Sequence, residues 1–268
     1  MGPSEPSDQQ PRAIMPEAHW RAVHDRPARL RRLQYRKWSF AFLAELAEHL
    51  GPFTTRATSS FLEVGCAPGR FLIYFHQVYG WRVEGIELTE AGLVRTRALL
   101  AANGLEARLY RGDILKLRPD QHYDIVGAFG LLEHFDNPLP CYRAMSRWLQ
   151  PGGALMVTVP NLHGPLGRAM RFRDQRDYHA HQRFRPQDLA AHCRQVGLRT
   201  IFCGLVGNFS IPQPFTSLGA PITHRLANMP IYAANRLVGS LAATLKRPIK
   251  LGCLTAYVGC VAVKDGQR

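Results

Sequence analysis

The apolar run Phe61-Leu62-Glu63-Val64 ends in Gly65-Cys66-Ala67-Pro68-Gly69, a turn made of small residues, and helix-forming residues follow from about Arg70 to Tyr79. A strand that turns this tightly into a helix lets a ligand approach bare backbone, and the helix N-terminus offers it free N–H groups. About twenty residues past the turn, Glu87 closes a second apolar run, Arg82–Glu87, where a carboxylate can accept hydrogen bonds from both hydroxyls of a ribose. The chemistry this pairing serves is binding of a nucleotide-like cofactor. It is not the dinucleotide pattern: counted from Gly65, the third and sixth positions should be glycine and are Ala67 and Arg70, so a nicotinamide cofactor fits poorly.

Groups able to move a proton come later in the chain. His134 and Glu133 follow the apolar run Tyr123–Phe129, and Tyr178, His179 and His181 form a second cluster. Histidine titrates near neutral pH and serves as a base for a hydroxyl or amine nucleophile. Packing of a turn would explain His134 equally well, and solvation would explain His179 and His181. A zinc site from His163, His179 and His181 lacks paired carboxylates or cysteine spacing. The cysteines 66, 141, 193, 203, 253 and 260 form no C-x-x-C pair and sit mostly in apolar runs, which fits reduced thiols and no metal.

The elements that must position these groups alternate. Phe61–Val64, Arg82–Glu87, Ala107–Tyr110, Tyr123–Phe129 and Ala154–Val159 read as strands. Helices are expected at 70–79, from an N-cap at Thr89 to Ala102, and at Pro138–Leu149 before Pro151-Gly152-Gly153. Strands separated by helices imply a parallel sheet covered on both faces. Upstream, 1–15 read as mobile and 17–50 as helical, stopped by Gly51-Pro52. Downstream, 161–186 read as a loop and Pro186–Val196 as a helix. The β-rich stretches Leu198–Val206 and Leu251–Lys264 bracket a Pro-rich part, Ile211–Pro221, and an apolar helix near Ile231–Leu245.

Taken in order, these runs resemble the class I S-adenosylmethionine-dependent methyltransferases, in the small-molecule branch. Glu63-Val64-Gly65-Cys66-Ala67-Pro68-Gly69 is similar to the family's first motif, and Glu84-Gly85-Ile86-Glu87 to its acidic strand end. Gly112-Asp113-Ile114 resembles the position that meets adenine. Tyr123-Asp124-Ile125-Val126 leading to Leu131-Leu132-Glu133-His134 resembles the fourth-strand motif, and Leu149-Gln150-Pro151-Gly152-Gly153 the approach to the fifth strand. The resemblance covers about residues 55–160, with a looser match at Tyr257–Lys264.

That resemblance implies an α/β fold: a doubly wound, seven-stranded, mostly parallel sheet with an N-terminal helical segment and a lid-like insertion before the last strand. It implies S-adenosyl-L-methionine as cofactor, held by Glu63, Gly65, Cys66, Ala67, Gly69, Glu87, Leu88, Asp113, Ile114 and Phe129. It implies in-line methyl transfer, whose rate comes largely from positioning, with His134, Glu133 and His181 as catalytic candidates. Ala67 departs from the family's middle glycine and narrows the space by one methyl group. In some quinone-precursor O-methyltransferases a further carboxylate precedes the Glu-His pair and serves a metal; that position is Gly130 here, which argues against one. Tyr178–Leu189 resembles a run that caps the substrate pocket. The expected division is 1–50 as N-terminus and helical cap and 51–268 as the methyltransferase domain, with 161–197 as substrate cap and 207–250 as insertion.

The net charge of +14 is unevenly spread: no acidic residue lies between Asp188 and Asp265, where Arg194, Arg199, Arg225, Arg236, Lys246, Arg247, Lys250 and Lys264 all fall. Such a field attracts anions, whether a small anionic or lipid-like substrate, an anionic membrane surface or nucleic acid. An RNA methyltransferase would use the charge, but no Asn/Asp-Pro-Pro-Tyr run and no separate RNA-binding module is visible. A non-catalytic protein that keeps the fold and cofactor is a further alternative, opposed by the presence of Glu87 and Asp113. The reading reached is a small-molecule methyltransferase, O-directed. No apolar leader run and no apolar stretch of the ~18–20 residues that span a membrane occur, so a cytoplasmic location is the expectation.

Overall fold

A computed structural model describes residues 13–25, 30–56, 58–173, 175–211 and 222–266. Its strands are β1 Ser60–Val64, β2 Arg82–Glu87, β3 Leu109–Arg111, β4 Tyr123–Phe129, β5 Leu149–Pro160, β6 Leu198–Phe209 and β7 Thr255–Lys264. They form one seven-stranded sheet in the order β3-β2-β1-β4-β5-β7-β6. Pairing is parallel from β3 through to β5, and β7 enters antiparallel between β5 and β6. Chain order reverses between β1 and β4, and at such a switch the loops leave a crevice beyond the carboxyl ends of the strands.

The helices are α1 Glu17–His24, α2 Ala41–Glu48, α3 Arg70–Tyr79, α4 Glu90–Ala102, α5 Leu139–Trp148, α6 Pro165–Arg173, α7 Gln175–His179, α8 Pro186–Gln195 and α9 Ile222–Leu245. Two apolar layers cover the sheet. One gathers Leu62 and Val64 of β1 with Tyr142, Met145 and Trp148 of α5 and Leu189 of α8. The other joins Phe61 of β1 to Phe75 of α3, Trp81, and Leu43 and Leu46 of α2. Adjacent β1 residues thus point to opposite layers, as a strand buried on both faces requires.

Several expectations need correction. The stretch 17–50 is not one helix: it divides into α1, a 3-10 turn at Lys37–Phe40 and α2, with irregular backbone over 30–36. In that segment the Leu33 N–H donates to Asn103 Oδ1 at 2.6 Å and the Tyr35 N–H to Gln77 Oε1 at 2.9 Å. The side chains of Gln77 in α3 and of Asn103, the C-cap of α4, thereby take the place of the missing helical partners. The stretch 161–186 is not all loop, since it holds α6 and α7; at nine and five residues both are too short to give a sustained apolar period. The third strand is Leu109–Arg111 rather than 107–110. The inserted helix begins at Ile222 rather than near 231 and carries Pro230 inside it. The Pro-rich part Ile211–Pro221 lies, apart from Ile211, outside the described residues, as do residues 1–12 of the expected mobile N-terminus.

Candidate active site

The turn after β1 is pinned to β2. The N–H groups of Gly65 and Cys66 both donate to the Ile86 carbonyl, at 2.9 and 3.1 Å. Gly65 (φ +76°) and Gly69 (φ +91°) take the left-handed conformation that glycine tolerates best. A Cβ built on Gly69 would come within 3.0 Å of the Thr96 side chain, so α4 also closes on the turn. Cys66 points down into the core against Gly85, and only its backbone belongs to the rim.

At the end of β2, Glu87 is buried, and its Oε1 accepts from both the N–H and the hydroxyl of Thr89, at 2.9 Å each. Thr89 is the N-cap of α4 expected from the sequence, with the Gly92 N–H donating to its hydroxyl oxygen at 3.1 Å. A Cβ on Gly92 would stand 2.8 Å from the Glu87 carboxylate, so that glycine makes room for it. After β3, Asp113 Oδ1 accepts from the Leu115 N–H at 3.0 Å, which orients the carboxylate at the bend beyond Gly112.

Beyond β4, Gly130 (φ +74°) turns the chain into the short turn Leu132–His134. Glu133 and His134 are both buried, with His134 Nε2 at 4.0 Å from Glu133 Oε1. Burial pushes the Glu133 carboxyl up to about 8, so it is largely protonated at neutral pH. Burial, reinforced by the neighbouring His181, pushes His134 down to about 3. This corrects the expectation of a histidine that titrates near neutrality: His134 is a neutral imidazole, and its Nδ1 is buried with no hydrogen-bond partner. Its ring lies 4.6 Å from His181 and 4.8 Å, edge-on, from Trp20.

These parts surround one cavity of about 250 Å³. Gly65, Ala67, Glu87, Leu88, Asp113, Ile114, Phe129 and His134 line it, so the structure gathers most of the residues singled out in the sequence. Glu63, Cys66, Gly69, Glu133 and His181 stand behind that lining. Glu63 is the penultimate residue of β1, its carboxyl pushed well up by burial and by Glu87, with Oε2 buried and without a hydrogen-bond partner among the described residues. His179 and His163 are exposed.

The opposite wall was not legible in the sequence. Ala13, Met15, Glu17, Trp20 and His24 close the cavity from the N-terminal side. The segment is held by a bridge between Ala13 and Phe135 and by the Ile14 N–H, which donates to the His134 carbonyl at 2.8 Å. No spacing in the chain relates Trp20 to His134; a buried face on α1 would have been the signal, and α1 has no fully buried residue.

Residues 34–201 match the methyltransferase domain family. The chain belongs to that family. Its members are the class I S-adenosylmethionine-dependent methyltransferases, and S-adenosylmethionine is the cofactor. The ubiquinone biosynthesis O-methyltransferase of Aromatoleum aromaticum is 30% identical over 150 residues, which are 52% of this chain and 63% of that protein. The chain therefore matches somewhat under two thirds of that relative's length. Among solved structures, geranyl diphosphate C-methyltransferase of Streptomyces coelicolor aligns with a TM-score of 0.53 and 16% identity, over 82% of this chain and 77% of that one. The [4+2]-cyclase SpnF aligns equally well, with a TM-score of 0.55 and 17% identity over 83% and 82%. At such identities the likeness is one of fold, and SpnF illustrates that this methyltransferase fold also carries other chemistry.

The residues present fit the cofactor. The first turn presents nothing larger than a methyl group to the cavity, Glu87 and Asp113 supply carboxylates on its wall, and the unpartnered Glu63 oxygen lies in the strand that leads into the turn.

Proposed function

We propose that this methyltransferase-fold chain transfers a methyl group from S-adenosylmethionine to the oxygen of a small, lipid-like acceptor. The observation that carries this reading is the position of His134, a neutral imidazole with an unpartnered Nδ1, on the wall of the cavity that Glu87 and Asp113 also line. In this reading Gly65 and Ala67 let the cofactor approach the backbone, Glu87 with Leu88 receives the ribose, and Asp113 with Ile114 receives the adenine. When bound, the cofactor supplies an electrophilic methyl group. His134 Nδ1, buried here and presented to the cavity when the ring turns, accepts a hydrogen bond from the acceptor hydroxyl and takes its proton as the C–O bond forms and the sulfonium C–S bond breaks, leaving S-adenosylhomocysteine. Positioning of this kind supplies much of the rate in a displacement. Glu133, held neutral by burial, leaves His134 without a paired anion and keeps its ring in place; His181 packs on the outer side of that ring.

The likeness to ubiquinone biosynthesis O-methyltransferases supports oxygen as the nucleophile and a small-molecule acceptor. The segment around Ala13, Met15, Glu17, Trp20 and His24 serves as a cap over the cavity. A cytoplasmic site of action belongs to the same reading.

Calorimetric titration with S-adenosylmethionine and with NAD tests the cofactor assignment: micromolar binding of the first and none of the second is expected. A screen of phenolic and prenylated phenolic acceptors then tests the reaction. Methylation of nitrogen or carbon acceptors alone, or of RNA, would replace the O-methyl reading, and no S-adenosylmethionine binding would remove it altogether.

A further inference from the structure

The strand ends locate the insertion. Phe129 of β4 pairs with Thr158 of β5, Pro160 of β5 with Tyr257 of β7, and Phe209 of β6 with Thr255 of β7. The segment between Phe209 and Thr255 therefore leaves and rejoins the sheet at the same carboxyl edge where Phe129 lines the cavity. Its main element is α9. Asn228, Val238 and Ala242 form the buried side, packed toward α2, β6 and the turn Lys37–Phe40. Ile211 is tied to the same helix by two hydrogen bonds with the Asn235 amide, at 2.9 and 3.0 Å.

The outer side carries large exposed apolar side chains interleaved with Arg236, Ser240 and Thr244. Met229, Tyr232, Leu237, Leu241 and Leu245 are 47–61% exposed. Met229, Ala233, Leu237, Leu241 and Leu245 recur at every fourth residue, which places them along one ridge of the helix. Arg236 is the single charged residue between Met229 and Leu245, and Lys246 and Arg247 follow at the end. All three are exposed and pair with no carboxylate among the described residues, whereas Lys250 turns inward to Glu45. Lys246 ends the helix at φ +52°, a left-handed position that favours glycine, while the Arg247 N–H reaches back to the Ala242 carbonyl at 3.2 Å.

An exposed apolar ridge edged by cations, in a stretch of chain without a single carboxylate, is complementary to an anionic lipid surface: the ridge enters the acyl boundary and the cations meet the headgroups. A second copy of the chain would oppose the same cations, and a nucleic acid would leave the leucines in water. No helix among the described residues is long and apolar enough to cross a membrane. We propose that the outer face of α9 docks this protein on an anionic bilayer, with the cavity-bearing edge of the sheet turned to the interface, so that an amphiphilic acceptor reaches the site from the membrane. The last clause rests on the lipid-like acceptor proposed above; the docking does not.

The test is flotation of the full chain with phosphatidylcholine vesicles, with and without phosphatidylglycerol, in the absence of cofactor and acceptor. Binding only to the anionic vesicles is expected. Leu237→Glu with Leu241→Glu should weaken it by at least about tenfold, as should Lys246→Glu with Arg247→Glu. Circular dichroism and S-adenosylmethionine titration of the same samples should be unchanged, because these side chains are exposed and remote from the cavity lining. Any one of four results overturns the docking: no partition into anionic vesicles, partition that survives the leucine substitutions, displacement of the protein from vesicles by RNA at equal ionic strength, or a concentration-dependent dimer that the leucine substitutions abolish. Failure of the methylation reading would show instead in the titration and the acceptor screen, with flotation intact.

Discussion

His24 Nδ1, at the end of α1, lies 3.1 Å from Oγ1 of Thr89, the N-cap of α4, and the Thr89 hydroxyl is itself 2.9 Å from Glu87 Oε1. Because the single threonine proton is committed to the carboxylate, the oxygen can only accept from the imidazole, which selects the Nδ1–H form of His24. Burial pushes His24 below the ordinary histidine range, so the ring is neutral at pH 7. A hydrogen-bonded chain thus runs from the N-terminal helix to the carboxylate assigned to the ribose.

Substitution His24→Ala should detach α1 from this chain and raise the cofactor dissociation rate by roughly three- to tenfold, as loss of one modest hydrogen bond implies. Stopped-flow release of S-adenosylhomocysteine measures it. An unchanged rate would show that α1 closes the cavity without holding it.

Glu87→Ala should weaken S-adenosylmethionine by about tenfold to over a hundredfold, corresponding to ~1.5–3 kcal/mol for hydrogen bonds to a charged group. It also strips Thr89 of its acceptor, so circular dichroism and a melting curve must accompany the calorimetry. Glu87→Gln keeps an oxygen for Thr89 and should restore the fold while leaving the affinity reduced.

The pair Glu133 and His134 predicts the shape of stability against pH. Between 6.5 and about 8 the folded state holds a proton on Glu133 that the unfolded chain, with the ordinary value of 4.5, has released. Stability therefore falls with rising pH there, by up to ~1.4 kcal/mol per unit. Between about 3 and 4.5 the unfolded chain holds a proton on His134 that the folded state lacks, and stability rises with pH. From 4.5 to 6.5 the two slopes oppose each other. Urea unfolding across this range should lose its decline above 6.5 in Glu133→Gln, and a decline that persists would assign it to another group.

Gly85 lies under the first turn, where an added Cβ would stand 2.5 Å from Cys66 Sγ and 2.8 Å from Cys66 Cβ. Gly85→Ala should destabilise the protein by ~1–3 kcal/mol, the usual range for overpacking, and lower cofactor affinity by shifting Gly65 and Ala67. Cys66→Ala in the same chain removes the sulfur and should recover part of both losses, as read by melting and titration.

Much of this molecule is local and could be read from the chain. Phe61–Val64 with its glycine turn, Arg82–Glu87, the Thr89 cap and Tyr123–Phe129 each declare themselves through the period of their apolar residues or through a turn that needs small residues. A doubly wound, mostly parallel sheet follows from that alternation together with the family resemblance, which also marks Glu87, Asp113 and His134; the strand order β3-β2-β1-β4-β5-β7-β6 is visible only in the tertiary structure. What the sequence could not determine depends on contacts between distant residues and on burial. Leu33 and Tyr35 look helical, but their N–H groups bond to Asn103 and Gln77. Trp20 and His24 wall the cavity without any pattern that ties them to His134 or Thr89. His134 reads either as a base that titrates near neutral pH or as packing for a turn, and Glu133 as a proton-moving candidate beside it; the low dielectric around them disfavours charge on both, making one a neutral imidazole and the other a protonated acid. Periodicity records which face of an element is buried, while the partner it meets and the charge it keeps there are decided only when the chain has closed.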